Sequence, residues 1–244
     1  MASRMNAAMI AQFLIDLLYP PSCVGCGAPH SGHDRYFCPR CEVMIRWRDP
    51  IRCRVCEQPT THRNRYCGAC QARWPRIFKL VTLGYYGGPL RRALHIFKYG
   101  YVRGVGEWLG EAIGRRTVAE LGGIDRVVPV PGGVRRRRQR GFDPSTVIAE
   151  SVARWLSVPL DVTSIRRVRD GPPLSSRTRL DREIEVSGRF AFAGAIGMRG
   201  QRVLVVDDVY TTGVSLDEVS RLILEGGRAR SVVGAVVARA VVEV

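Results

Sequence analysis

Short runs of branched apolar residues alternate along most of this chain with longer stretches at helical spacing, and glycine or polar turns separate the two. Residues 203–206, Val-Leu-Val-Val, form the clearest run and predict a strand buried in a parallel sheet. From Leu216 the apolar positions Val219, Leu222 and Ile223 take up a helical period. Residues 124–131 predict a second buried strand ending in a Pro-Gly-Gly turn, and residues 145–155 a helix with Ser145 as its cap. Residues 162–168 predict a strand, and residues 232–242 the strand that closes the sheet. Between 80 and 121 the pattern predicts glycine-rich turns and two helices, 90–97 and 105–113. Residues 170–189 are polar, arginine-rich and carry Pro172-Pro173, which predicts a mobile loop with a short helix. Strands interleaved with helices predict an α/β fold on a parallel sheet.

The N-terminus follows another pattern. An apolar stretch over residues 7–18 is interrupted by Gln12 and Asp16 and is far shorter than the ~20 residues that a membrane span needs. It resembles a signal peptide with Arg4 ahead of it. However, Ile10, Phe13, Leu14, Leu17 and Leu18 follow helical spacing, which favours a short amphipathic helix within residues 1–20 and a cytoplasmic protein.

Cysteine usage divides the chain. All eight cysteines lie between Cys23 and Cys70, as four Cys-x-x-Cys pairs: Cys23/Cys26, Cys38/Cys41, Cys53/Cys56 and Cys67/Cys70. Each pair can offer two thiolates to one tetrahedral ion. Eleven residues separate Cys26 from Cys38 and ten separate Cys56 from Cys67, so the segment reads as a duplication: two consecutive Cys₄ ribbons, each holding one structural Zn²⁺. A cross-braced pairing, an iron–sulfur cluster and a disulfide framework are the alternatives, the last belonging to secreted chains. Four thiolates leave no open metal position for catalysis. The nearby His30, His33 and His62 are surplus to two filled sites. The expected division is a helix in 1–20, a double zinc ribbon in 21–75 and an α/β domain in 76–244.

The 244 residues are 45% hydrophobic, enough for such a domain plus a small module, and carry a formal net charge of +16. A field of that sign favours polyanions: nucleic acid, acidic lipid or phosphorylated substrates. Arg91, Arg92, Lys98 and Arg103 interleave with Phe97, Tyr99 and Tyr101, which suits stacking and phosphate contacts along single-stranded nucleic acid. A half-buried helix with snorkelling cations reads equally well. Arg135, Arg136, Arg137, Arg138 and Arg140, in the loop expected after the 124–131 strand, form either an anion site or a solvated linker. Their place directly beyond a strand favours a ligand-facing role.

The densest chemistry follows the 203–206 strand. Asp207 and Asp208 are succeeded by Thr211, Thr212, Gly213, Val214 and Ser215, just before the helix. Loop N–H groups and a helix dipole can cradle a phosphate, while paired carboxylates can accept hydrogen bonds from ribose hydroxyls. This arrangement resembles the phosphoribosyl pyrophosphate-binding signature of type I phosphoribosyltransferases. The leucine-rich lead into Cys23, the double ribbon, Phe97-Lys98-Tyr99, Val128-Pro129-Val130-Pro131, Arg140-Gly141-Phe142 and residues 203–215 together resemble the ComF family, phosphoribosyltransferase-like proteins associated with DNA uptake in natural transformation.

That resemblance implies a type I phosphoribosyltransferase core with the zinc module where other members carry a base-recognising hood. It places ribose on Asp207 and Asp208, the 5′-phosphate on residues 211–215, and pyrophosphate with Mg²⁺ near Arg136 and Arg140. It further implies single-stranded DNA and DNA-uptake proteins as partners. The chain departs from the family at Asp143-Pro144, where Asn-Gln is common, and at Gly171, Leu174 and Glu185. Any catalysis would displace pyrophosphate from phosphoribosyl pyrophosphate. Thr211 stands where purine-salvage enzymes place an Asp near the base, which argues against hypoxanthine or guanine as acceptor. A transferase of nucleotide metabolism with a merely structural zinc module is the alternative.

Overall fold

The computed structural model describes residues 21–30, 36–61, 64–169, 188–194 and 197–241. The N-terminal helix expected in residues 1–20, the loop expected over 170–189 except for its last two residues, His33 and His62 lie outside the described residues.

The ribbons come first, each closing with one helical turn, α1 (Pro39–Met44) and α2 (Gly68–Ala72). Next come β1 (Leu80–Tyr85), α3 (Gly88–Tyr99), α4 (Arg103–Leu121), β2 (Arg126–Pro129), α5 (Val134–Arg140) and α6 (Pro144–Leu156). A short hairpin-like pair follows, β3 (Ile165–Arg167) and β4 (Phe190–Phe192), and the chain ends with β5 (Arg202–Tyr210), α7 (Val214–Glu225) and β6 (Ser231–Arg239). Four strands form one all-parallel sheet in the order β1-β6-β5-β2, while β3 and β4 pair antiparallel beside it. The last strand therefore lies inside the sheet, between β1 and β5, rather than closing an edge.

Parallel strands covered on both faces need apolar residues at successive positions. Val203 to Val206 and Val232 to Val237, apart from Gly234, meet that requirement and are almost wholly shielded from solvent. On one face Leu204 and Val206 pack with α3, α4, α6 and the first ribbon (Cys23, Phe37, Cys41). On the other, Val203 and Val205 pack with α7, Phe190 and the second ribbon (Cys53, Cys56, Cys67, Cys70). The segment joining the ribbons and the knuckle of the second ribbon cover the outer edge of β1: Tyr85 N–H donates to Arg46 O at 2.8 Å, and Leu80 N–H to Val55 O at 2.7 Å. A sheet edge left bare would present unpaired backbone groups.

Four sequence expectations change here. Strand β1 occupies a stretch where only glycine-rich turns and helices were expected, because its burial comes from the ribbons lying over it. Helix α4 is far longer than 105–113. The arginine run is a short helix rather than a loop, ending at Gly141 with φ 75°. Finally, the cap of α6 is Asp143, whose carboxylate accepts from Ser145 N–H, so Ser145 is the second helical residue.

Candidate functional site

The two ribbons are built alike. Cys23 N–H donates to Ala28 O at 2.9 Å and Cys53 N–H to Gln58 O at 2.8 Å, and the bridges Ser22–Pro29 and Arg52–Pro59 sit thirty residues apart. Each knuckle needs a left-handed residue after its second cysteine: Gly27 in the first (φ 80°) and Glu57 in the second (φ 60°). Glu57 tolerates that position under restraint, since Arg48 (3.1 Å) and Arg52 (2.8 Å) clamp its buried carboxylate. The sulfurs of Cys23, Cys26, Cys38 and Cys41 all lie within 4.8 Å of one another, as do those of Cys53, Cys56, Cys67 and Cys70. Two sequential all-sulfur groups fit two tetrahedral zinc ions, and the cross-braced pairing is excluded. Around Cys23 burial opposes the thiolate, but the N–H groups of Cys38, Cys26 and Gly25 outweigh it and bring the thiol down to about 6.

The second constellation lies at the carboxyl end of the sheet, where open α/β folds bind ligands. Strand β5 does not stop at Val206. It continues through Asp207 and Asp208 to Tyr210, in register with Val236 to Arg239. Both acids are thus held by a central strand. Ser145 Oγ (2.8 Å) and Asp208 N–H (2.8 Å) donate to Asp207 Oδ1. Burial pushes the Asp207 carboxyl up to about 7, and the adjacent Asp208 carboxylate adds to the rise. Lys98, on the last turn of α3, reaches Asp208 Oδ2 at 2.6 Å. Burial opposes its charge, but the Asp208 carboxylate prevails and its pKa is raised.

These residues open into a cleft of about 270 Å³ that Tyr99, Arg136, Arg137, Arg140, Asp143, Arg167, Arg189, Val209 and Ser215 also line. Arg136, Arg137 and Arg140 share one face of α5, which is why Arg135 and Arg138 do not line it. Arg140 lies over the Tyr99 ring at 4.7 Å. Six cations face three carboxylates across this space, so its field suits an anion carrying several charges.

A smaller cavity of about 40 Å³ adjoins it, walled by residues 209–216 with Asp207 and Val236. Gly213 caps α7 with φ 80°, and a Cβ there would fall on the Tyr210 hydroxyl. No side chain caps this helix, and first-turn N–H groups have no intrahelical acceptor, which leaves a local positive pole. Asp207, Val209 and Ser215 line both cavities, so the two adjoin across these residues.

The structure places Asp207, Asp208, Arg136, Arg140 and Ser215 around the cleft and residues 211–215 around the adjoining cavity. It adds Lys98, Asp143, Ser145, Arg167 and Arg189, which the sequence reading did not assign to this cleft. The aromatic–cationic surface expected around residues 91–103 is dispersed. Phe97 is in the core, Lys98 belongs to the cleft, and Arg103 is taken by Glu107 (3.0 Å) and Glu150 (2.6 Å). Tyr99 and Tyr101 remain exposed.

A parallel α/β sheet with this cleft at its carboxyl end, joined to two four-cysteine ribbons, defines a phosphoribosyltransferase-like protein with a double zinc ribbon. Family models agree: a double zinc ribbon domain matches residues 14–71 and a phosphoribosyl transferase domain residues 144–241. The chain belongs to the ComF-type family. It is 30% identical over 221 residues to DNA utilization protein YhgH of Escherichia coli (strain K12), covering 87% of this chain and 95% of that protein. Competence protein F of Haemophilus influenzae is 26% identical over 185 residues, 72% of this chain and 79% of that one. Competence protein ComFC of Bacillus subtilis is 32% identical over 107 residues, 43% and 41% of the two chains. Among solved structures, an adenine phosphoribosyltransferase matches 60% of this chain and 74% of its own at 17% identity and a TM-score of 0.39. No helix among the described residues is long and apolar enough to cross a membrane.

Proposed function

We propose that this cleft binds phosphoribosyl pyrophosphate with Mg²⁺, and that the protein also engages single-stranded DNA in the DNA-uptake or DNA-utilization role that its relatives' names carry. One observation supports the first part above others. The Asp207–Asp208 pair lines the cleft that the arginine face of α5 also lines, and Asp207 lines the adjoining cavity at the uncapped N-terminus of α7 as well. The 5′-phosphate sits on the N–H groups of residues 211–215. Ribose hydroxyls donate to Asp207 and Asp208, and the pyrophosphate lies along Arg136 and Arg140. Mg²⁺ bound along with the pyrophosphate would supply positive charge that makes it a better leaving group. Lys98, tethered by Asp208, keeps that carboxylate oriented and adds positive charge at the cleft floor.

If a nucleophile is supplied, Arg136 and Arg140 stabilise the charge that develops on departing pyrophosphate. Thr211, standing where a base-side acid would, does not itself serve as a general base toward a purine acceptor. The DNA part rests on the +16 charge and on exposed aromatics flanked by cations. Trp74 and Phe78 are exposed on the segment leaving the second ribbon, and share a shallow groove with Tyr66, Arg54 and Lys79.

The test is calorimetry with phosphoribosyl pyrophosphate and Mg²⁺, comparing wild type with the double variant Asp207→Asn/Asp208→Asn, followed by a thymidine oligonucleotide in the same cell. Saturable binding lost in the double variant, with oligonucleotide affinity that falls steeply as salt rises, supports the reading. Absence of sugar-phosphate binding in the wild type would sink the enzyme reading. Sugar-phosphate binding without oligonucleotide binding would favour a transferase of nucleotide metabolism.

A further inference from the structure

Arg239, at the end of β6, is only 5% exposed, and among the described residues no carboxylate pairs with it. A buried guanidinium must find acceptors for its donors and a counter-charge for its cation. The acceptors join two distant parts of the chain. Nε donates to Cys56 O (3.1 Å), in the knuckle of the second ribbon. Nη1 donates to Thr211 O (2.8 Å) and Tyr210 O (3.3 Å), at the start of the phosphate-type loop, and to Ala240 O. The guanidinium also lies over the Tyr210 ring at 4.8 Å, and Gly213 packs on that same ring's hydroxyl end.

Two consequences follow from elementary chemistry. Across a trans peptide the C=O and the next N–H point in opposite directions. Drawing the carbonyls of Tyr210 and Thr211 onto Arg239 therefore turns the N–H groups of Thr211 and Thr212 away from it, and both residues wall the small cavity. The second consequence concerns charge. Four thiolates and one Zn²⁺ make a formal dianion, and all four cysteines of the second ribbon are buried. Arg239, bonded to the backbone of one of those ligands, is positioned to offset that charge. The first ribbon meets the body differently: Arg92 donates to Gly25 O at 3.0 Å, with no bond to the loop.

We propose that Arg239 is a positioning residue for the loop amides, and that zinc in the second ribbon, not the first, holds it in place, so that occupancy of that one metal site sets the cleft's affinity for sugar phosphates. The proposal rests on the sugar-phosphate reading for its ligand, but not for the coupling itself.

The test uses the full zinc-loaded chain and the variants Arg239→Gln, Arg239→Lys, Cys70→Ser, Cys41→Ser and Arg239→Gln/Cys70→Ser. Zinc per chain, affinity for phosphoribosyl pyrophosphate with Mg²⁺, and hydrogen exchange of residues 211–215 are measured on each. Arg239→Gln and Cys70→Ser should each weaken binding about tenfold, their combination no more than either, and Cys41→Ser less than about twofold despite losing one zinc. Arg239→Lys, which keeps the charge with fewer donors, should fall between. Equal losses for Cys41→Ser and Cys70→Ser, or losses that multiply in the combined variant, overturn the proposal.

If the wild type binds no sugar phosphate, the proposed ligand is wrong, yet the coupling is still read from exchange. Loop amides should exchange faster in Arg239→Gln and Cys70→Ser but not in Cys41→Ser, and unchanged protection overturns the coupling. Should Cys70→Ser fail to fold, stepwise chelation of the wild type replaces it. Loop exchange should then rise with the loss of one of the two zinc ions, and protection unchanged after both have left counts against the proposal.

Discussion

Asp207 shows how one strand position ties stability to chemistry. Its carboxyl is raised from 3.8 to about 7, chiefly by burial. The folded chain therefore holds a proton that the unfolded chain releases, and stability falls as pH rises through that interval, the full cost being present above about 7. Asp207→Asn removes the charge, while its amide oxygen can still accept from Ser145 Oγ and Asp208 N–H. The variant should melt about 4 °C above wild type at pH 8, with little difference at pH 4. Calorimetric scans at both pH values check this, and an equal difference at both would remove burial of charge as the cause. The same residue shows what was legible: the acid pair stood out in the sequence, but its protonation did not. That comes from burial in the packed sheet beside Asp208, a rise that Ser145 and Lys98, 62 and 109 positions away in the chain, only partly offset.

Among the elements, α4 and α6 depend on a stripe of small residues. Gly106, Gly110 and Gly114 recur every four positions on one face of α4. A Cβ at Gly110 would lie 2.6 Å from Ile148 O and 2.7 Å from Ser151 Cβ, and one at Gly114 would lie 2.8 Å from Trp155 Cβ. The two helices approach nearly backbone to backbone, and this seats the start of α6, with Asp143 and Ser145, beside the cleft. Gly110→Val should cost roughly 3 kcal/mol by overpacking, read as a lower urea midpoint at unchanged slope. A midpoint equal to wild type would mean that the helices do not meet so closely. Glycines inside a helix weaken its local signal, which explains why the sequence indicated only residues 105–113. At α5 the arginines suggested a loop because of their charge, although arginine is a good helix former. The helix selects Arg136, Arg137 and Arg140 for one face.

Over the whole molecule, the ribbons are part of both hydrophobic clusters instead of hanging beside the sheet. Cys23 and Cys41 pack with Leu83, Leu90 and Phe97, and Cys53 and Cys56 with the cluster of Leu80, Tyr210 and Leu216. Removing zinc should therefore weaken the α/β body as well as the ribbons. A strong chelator is expected to lower the melting temperature by about 10 °C or more and to broaden the transition. An unchanged transition in scanning calorimetry, with zinc loss verified, would show that the body stands without its ribbons.

The sequence by itself determined what depends on neighbours along the chain. Cys-x-x-Cys spacing specifies knuckles, the valine runs of β5 and β6 specify buried strands, and Asp207 to Ser215 specifies a strand–turn–helix with acids and a glycine turn. Each is a local stereochemical demand. Only the tertiary structure decided which four cysteines share an ion, that residues 80–85 form a strand, and that β6 lies between β1 and β5. It also decided that Lys98 reaches Asp208, that Asp143 caps α6, and that Arg239 joins a zinc knuckle to the phosphate-type loop. These outcomes rest on burial and on hydrogen bonds between segments far apart in sequence, and their energy exists only once the chain has packed.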